Sequence, residues 1–280
     1  GSVSFRNYKT AESNMDILAM YNREVTKDLD FGLNLGGNMM RATNTSMAVS
    51  GTGFKIPTLE TIASTEKEKR SQSYSPLGEK RINSLYGSAQ LGYQDFVYLD
   101  LTARNDWSST LPESNRSYFY PSASVSFVLS ELFDAPVLDY SKVRMSYAQV
   151  GSDTDPYRLV NVFTLDSDGY LGETILSTSA TELNPDLQPE ITSSLEVGYE
   201  TRMFDNKFYA DLTYYDIKTK DLITTIPVPP ASGYSSKLTN VGSMTNKGFE
   251  VLLGFVPVRT NNFDWDISFN FSKNVNKLVE

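Results

Sequence analysis

The sequence predicts an all-β protein, an antiparallel up-and-down transmembrane β-barrel of about ten strands. Three observations predict it. Segments about 10–12 residues long, each apolar on one face and polar on the other, recur about ten times. The connections between them alternate short and long, as they do in barrels with tight periplasmic turns and long extracellular loops. No apolar run approaches the roughly 18–20 residues of a membrane helix, which excludes a helical span and leaves a strand-built one open.

The drafted strands lie near 14–25, 29–40, 82–93, 96–107, 118–129, 141–150, 192–202, 207–217, 246–257 and 263–273. In the third, Leu85, Gly87, Ala89, Leu91 and Tyr93 oppose Ser84, Tyr86, Ser88, Gln90 and Gly92. The fourth sets Val97, Leu99, Leu101 and Ala103 against Tyr98, Asp100, Thr102 and Arg104. The fifth alternates Phe119, Ala123, Val125, Phe127 and Leu129 with Tyr120, Ser122, Ser124 and Ser126. In the seventh, Leu195, Val197 and Tyr199 oppose Glu196, Gly198 and Glu200; in the eighth, Phe208, Ala210, Leu212 and Tyr214 oppose Tyr209, Asp211 and Thr213. The tenth is the cleanest: Phe263, Trp265, Ile267, Phe269 and Phe271 alternate without exception with Asp264, Asp266, Ser268, Asn270 and Ser272. Such strands are about twice the usual globular length. Asp100, Arg104, Arg144, Glu196, Asp211 and Asp266 fall in mid-strand on the polar side, so that side must meet water.

Short connections fall near 26–28, 94–95, 130–140, 203–206 and 258–262, and long ones near 41–81, 108–117, 151–191 and 218–245. Aromatics at drafted strand ends (Tyr93, Trp107, Tyr118, Phe119, Tyr120, Tyr199, Phe204, Phe263 and Trp265) read as interfacial girdles. Asn184-Pro185-Asp186-Leu187-Gln188-Pro189-Glu190 reads as a rigid loop entering the seventh strand, because two prolines block ladder bonding. The stretch with Lys67, Lys69 and Arg70 among Glu66 and Glu68 reads as a solvated loop.

Composition excludes several functions. With 280 residues, no Cys and no His, the chain has no disulfide, no thiolate metal site and no Ser/His/Asp triad. A net charge of −9 with no basic run argues against nucleic acid as a partner. Asp166-Ser167-Asp168-Gly169 lacks the acidic residue two positions earlier and the later Glu of a calcium loop, and reads as a plain turn. Gly51-Thr52-Gly53 has neither the third glycine nor the following helix of a nucleotide loop. No cofactor and no enzymatic activity are expected. Two rivals remain: a soluble β-sandwich carbohydrate-binding module with its apolar faces inward, and a small closed barrel enzyme, which the missing His disfavours.

Four blocks carry a resemblance. They are Tyr86–Pro112 (YGSAQLGYQDFVYLDLTARNDWSSTLP), Tyr118–Leu132 (YFYPSASVSFVLSEL), Asn184–Ile223 (NPDLQPEITSSLEVGYETRMFDNKFYADLTYYDIKTKDLI) and Asn240–Leu253 (NVGSMTNKGFEVLL). In this order they resemble the SusC/RagA family of TonB-dependent outer-membrane transporters. The resemblance implies a barrel of about twenty-two strands plugged by an N-terminal domain. It implies a SusD-like surface lipoprotein that captures glycans or peptides, and TonB pulling on the plug. Against that pattern this chain shows no plug or TonB box and ends at Lys277-Leu278-Val279-Glu280, so it reads as residues 3–280 of barrel wall behind a Gly1-Ser2 cloning scar. Its expected setting is the outer membrane, in contact with lipid.

Overall fold

The structure, a computed structural model, describes residues 1–133, 135–166, 171 and 173–279. In chain order its strands are β1 (Ser2–Thr26), β2 (Leu29–Thr52), β3 (Arg70–Tyr93), β4 (Val97–Ser108), β5 (Ser117–Val128), β6 (Leu138–Ser152), β7 (Phe163–Asp166), β8 (Ile175–Thr178), β9 (Thr181–Glu182), β10 (Glu190–Met203), β11 (Phe208–Lys220), β12 (Ile223–Pro227), β13 (Ser236–Asn240), β14 (Ser243–Arg259) and β15 (Asp264–Val279). Ten of them form one open antiparallel sheet in the order β1-β2-β3-β4-β5-β6-β10-β11-β14-β15. Each pairs with its neighbour along the chain, the up-and-down pattern of a barrel wall.

The two kinds of connection have different physical origins. The β3–β4 turn closes with a Phe96 N–H to Tyr93 carbonyl bond of 3.0 Å. Its central residues, Gln94 and Asp95, have φ of 51° and 53°. The β10–β11 turn repeats this with Asp205 and Asn206 at 58° and 57°. Both central residues left-handed is the geometry whose twist matches antiparallel strands, and Asp and Asn tolerate it. The long connections carry structure of their own. β12, β13 and β9 form a three-stranded sheet and β7 and β8 a hairpin, all at the other end of the wall.

The strand ends differ from expectation where both faces are polar. β1, β2 and β3 continue well past the apolar alternation, so the connection expected over 41–81 shrinks to 53–69. Residues 2–13 and 41–52 are rich in Ser, Thr and Asn on both faces, which erases the period-2 signal while leaving the backbone free to pair. Within 53–69, Lys67–Lys69 makes a single 3-10 turn, and Lys69 pairs with Glu66 at 2.9 Å. Three of the four residues of the Asp166–Gly169 turn lie outside the described residues.

Register decides the faces. One row runs Tyr21, Leu33, Ala89, Leu101, Ala123, Tyr147, Leu195, Asp216, Lys247 and Val275 across all ten strands. The apolar band does not follow such a row. It centres near Ala89 on β3 but near Val251 and Leu253 on β14, about five residues from Lys247, after six strand steps. At roughly 3.4 Å per residue and 4.8 Å per strand, that slide corresponds to strands tilted by roughly 30° from the membrane normal. A sheet tilted this way is the wall of a sheared barrel.

The apolar face has no cover. Leu101 is 42% exposed, Leu85 62% and Phe269 59%, although each points away from the polar side. A soluble sandwich stacks a second sheet against that face. Here all ten long strands belong to one sheet, so the carbohydrate-binding sandwich is contradicted, and lipid is the medium that satisfies the face.

Candidate functional site in the inner wall and loop base

The polar rows form the concave inner face. A groove of about 880 Å³ near the tight turns runs across β1 to β6 and is lined by Asn22, Glu24, Asp30, Gln90, Tyr98 and Asp100. Gln90 donates to Asp100 at 2.7 Å, and Ser124 donates to its other oxygen at 3.4 Å. Two further grooves, of about 410 and 430 Å³, lie over β10 to β15.

All six mid-strand charges singled out in the sequence sit on this face with partners. Arg144 on β6 reaches past β10 to Asp211 on β11 at 3.0 Å, donates to Thr213 at 2.6 Å and lies 3.7 Å from Glu196. The residue between is Gly198, and a Cβ there would collide with the Arg144 guanidinium. Tyr209 repeats the device, crossing Gly254 to donate to Asp266 at 3.0 Å. Long polar side chains thus tie alternate strands together while staying half-solvated, as a wet interior requires.

At the long-loop end, Asp106 is buried and accepts from Tyr120 at 2.6 Å and from Arg104 Nε at 2.8 Å. Arg104 also donates to Ser84 at 2.9 Å and lies over the Tyr86 ring, 5.7 Å from its centroid. Tyr118 stacks on Tyr120 at 6.1 Å and packs with Leu111, Leu187 and Leu238 in the largest apolar cluster among the described residues. This corrects the girdle: Tyr118 and Tyr120 face inward opposite Asp106 and Arg104, while Phe119 between them is the residue exposed to the outside.

The four sequence blocks meet here. Asn115 donates to the Asp186 and Leu187 carbonyls at 3.3 and 3.2 Å. Asn240 accepts from the Gln188 N–H at 2.9 Å and donates to the Gln188 and Asp221 carbonyls, both at 2.8 Å. Glu190 accepts from the Ile223 N–H at 2.6 Å. Asp153, almost fully buried, accepts from Ser108 and Lys80, and from Thr110 at 3.1 Å. The motifs therefore share one task, holding the bases of three long connections against the rim. Sequence reading placed them as turns and strand ends; isolated Leu111, Leu187 and Leu238 in polar loops were the signal that they pack together.

Residues 2–277 match the family described as TonB dependent receptor-like, beta-barrel. The TonB-dependent receptor P26 of Formosa agariphila is 35% identical over 209 residues, 71% of this chain and 21% of that protein. The TonB-dependent receptor SusC of Bacteroides thetaiotaomicron is 25% identical over 207 residues, 70% of this chain and 21% of that protein. The structure of the RagAB peptide importer in its closed-closed state superimposes with a TM-score of 0.86 at 24% identity, over 99% of this chain and 31% of that one. The chain thus spans about a fifth of the length of the curated relatives it matches. It belongs to the TonB-dependent receptor-like β-barrel family, as a SusC/RagA-like barrel wall of the outer membrane.

Proposed function

We propose that the protein containing this wall imports oligomeric nutrients, glycans or peptides, across the outer membrane without catalysing any reaction on them. A SusD-like lipoprotein on the cell surface delivers the ligand to the long-loop end, and TonB, acting through a plug domain, opens the path along the inner face. The observation that carries this reading is the concave face itself. Its mid-strand charges are paired within the wall and remain partly solvated, which suits passage of a polar solute more than tight capture of one. The relatives favour it too, since one similar structure is described as a peptide importer and one relative is SusC.

The wall of SusC/RagA-like proteins is compatible with either cargo, so the test compares them. Deleting the gene for the whole protein and measuring uptake of labelled glycan and peptide oligomers is expected to abolish one class of uptake in energised cells. Uptake of both classes at the parental rate would overturn the reading. Pull-down of the tagged whole protein is expected to bring a surface lipoprotein with it.

A further inference from the structure

The outer face is not apolar up to the ends of its strands. Above the band, on the long-loop side, β11, β14 and β15 present Lys218, Lys220, Lys247, Lys273 and Lys277 in the outward-facing rows, against a single acid, Asp216. All five lysines are exposed. Of these five, only Lys247 has a carboxylate among the described residues within ion-pair distance, Asp216 at 2.7 Å. The chain as a whole has 34 acidic residues against 25 basic ones, so this surface runs opposite to the bulk composition. Like charges on adjacent strands repel one another unless an anion lies among them.

Three of them, Lys247, Lys273 and Lys277, rim a groove of about 330 Å³ whose floor is Tyr214, Phe249 and Val275. Phe271 extends that floor, its ring 5.6 Å from that of Phe249. At the same border on the same outer face, near the opposite edge of the sheet, the design recurs. Arg41 and Arg81 share Glu79 at 3.0 and 2.5 Å above Met15 and Met39, in a groove of about 290 Å³. A cationic rim above an apolar floor, on the outer surface, matches an anionic amphiphile at the depth where headgroup meets chain. The wall separates both grooves from the inner face, so a solute in the lumen does not reach them.

We propose that the β11–β14–β15 groove binds the phosphorylated headgroup of an outer-leaflet lipid. Its phosphates meet Lys247, Lys273 and Lys277, and its chains lie on Tyr214, Phe249 and Val275. Lysines on two adjacent strands suit a headgroup bearing two phosphates, since neighbouring strands stand roughly 4.8 Å apart and each lysine stem reaches further. Nothing in this depends on which nutrient the protein carries.

The test uses the whole protein in detergent, with bisphosphorylated lipid A as probe and its dephosphorylated form as control, read by native mass spectrometry. The unmodified protein is expected to retain the bisphosphorylated lipid and not the control. Lys247→Gln/Lys273→Gln/Lys277→Gln is expected to weaken binding about 100-fold, at about fivefold per lysine beside an anionic surface. The corresponding triple Arg variant is expected to bind as the parent does. Equal binding by the Gln variant, or retention of the dephosphorylated lipid, would overturn the proposal. Displacement of the lipid by millimolar inorganic phosphate would also overturn it, since the site would then be one for free anions. If the Gln variant fails to assemble, a salt series on the unmodified protein decides: binding that is flat between about 50 and 300 mM salt contradicts lysine–phosphate contacts.

Discussion

Gly198 carries a prediction that depends on the wall's geometry and on nothing else. Arg144 reaches Asp211 only because the strand between presents no side chain at Gly198, over which its guanidinium lies. An added Cβ falls 2.6 Å from Arg144 Cζ, too close to coexist with the present rotamer. Gly198→Ala therefore displaces the guanidinium and breaks its bonds of 3.0 Å to Asp211 and 2.6 Å to Thr213. A charge-assisted hydrogen bond in a shielded place is worth about 1.5–3 kcal/mol. The Arg144 and Asp211 side chains are 32% and 36% exposed, which lowers the expected loss to about 1–2 kcal/mol. The assay is a double-mutant cycle on the whole protein, with Gly198→Ala, Arg144→Ala and both together, read from urea unfolding midpoints in lipid vesicles; alanine is used at Arg144 because its Cγ also lies 2.8 Å from the added Cβ. With Arg144 already replaced, the alanine has nothing to displace, and its cost should vanish or turn into a small gain, since Gly weakens a strand interior. The expected coupling is about 1 kcal/mol or more. Additivity to within about 0.3 kcal/mol would show that the glycine and the arginine act independently, and would refute the reasoning.

Three further outcomes follow from the same structure. Leu101→Arg, in the middle of the outer face, should destabilise the barrel by about 2–4 kcal/mol, whereas Thr102→Arg, one residue along on the inner face, should cost close to nothing; refolding yields into vesicles compare them. Asp153→Ala leaves Lys80, Ser108 and Thr110 without their shared acceptor and should raise protease cleavage of the long connection that follows β6 by roughly tenfold, corresponding to about 1.4 kcal/mol of local opening. Asn240→Ala removes three backbone contacts that join two connections, and limited proteolysis should then cut near the Asn184–Glu190 loop while the strands stay protected.

How much of this was legible in the sequence depends on which physical signal each residue carries. All of Phe263–Ser272 but its first residue lies in β15, and its unbroken alternation needed no structure to be read as a two-faced strand. The same holds for Leu85–Tyr93 and Val97–Arg104, whose apolar members do face outward. The outer halves of β1 and β2 were hidden because water wets both of their faces there, and a strand without an apolar side has no period to detect. Tyr118, Phe119 and Tyr120 show the limit of composition. All three looked like girdle, but strict alternation sends the two tyrosines inward to Asp106, Arg104 and the loop core and leaves Phe119 to the lipid. Pairing across strands was out of reach as well. That Arg144 meets Asp211, or Tyr209 meets Asp266, follows from register between strands, which a single sequence does not state.

The central account is that this sheet is a barrel wall with lipid on one side and water on the other. These 280 residues contain no cysteine, so once any cysteine elsewhere in the whole protein is replaced by serine, single cysteines at positions 97 to 102 can each carry a spin label without background. The account predicts that labels at Val97, Leu99 and Leu101 collide with oxygen dissolved in the bilayer, and that labels at Tyr98, Asp100 and Thr102 collide with a water-soluble nickel reagent, alternating residue by residue. Equal access of the nickel reagent to all six, or the reverse alternation, would contradict it.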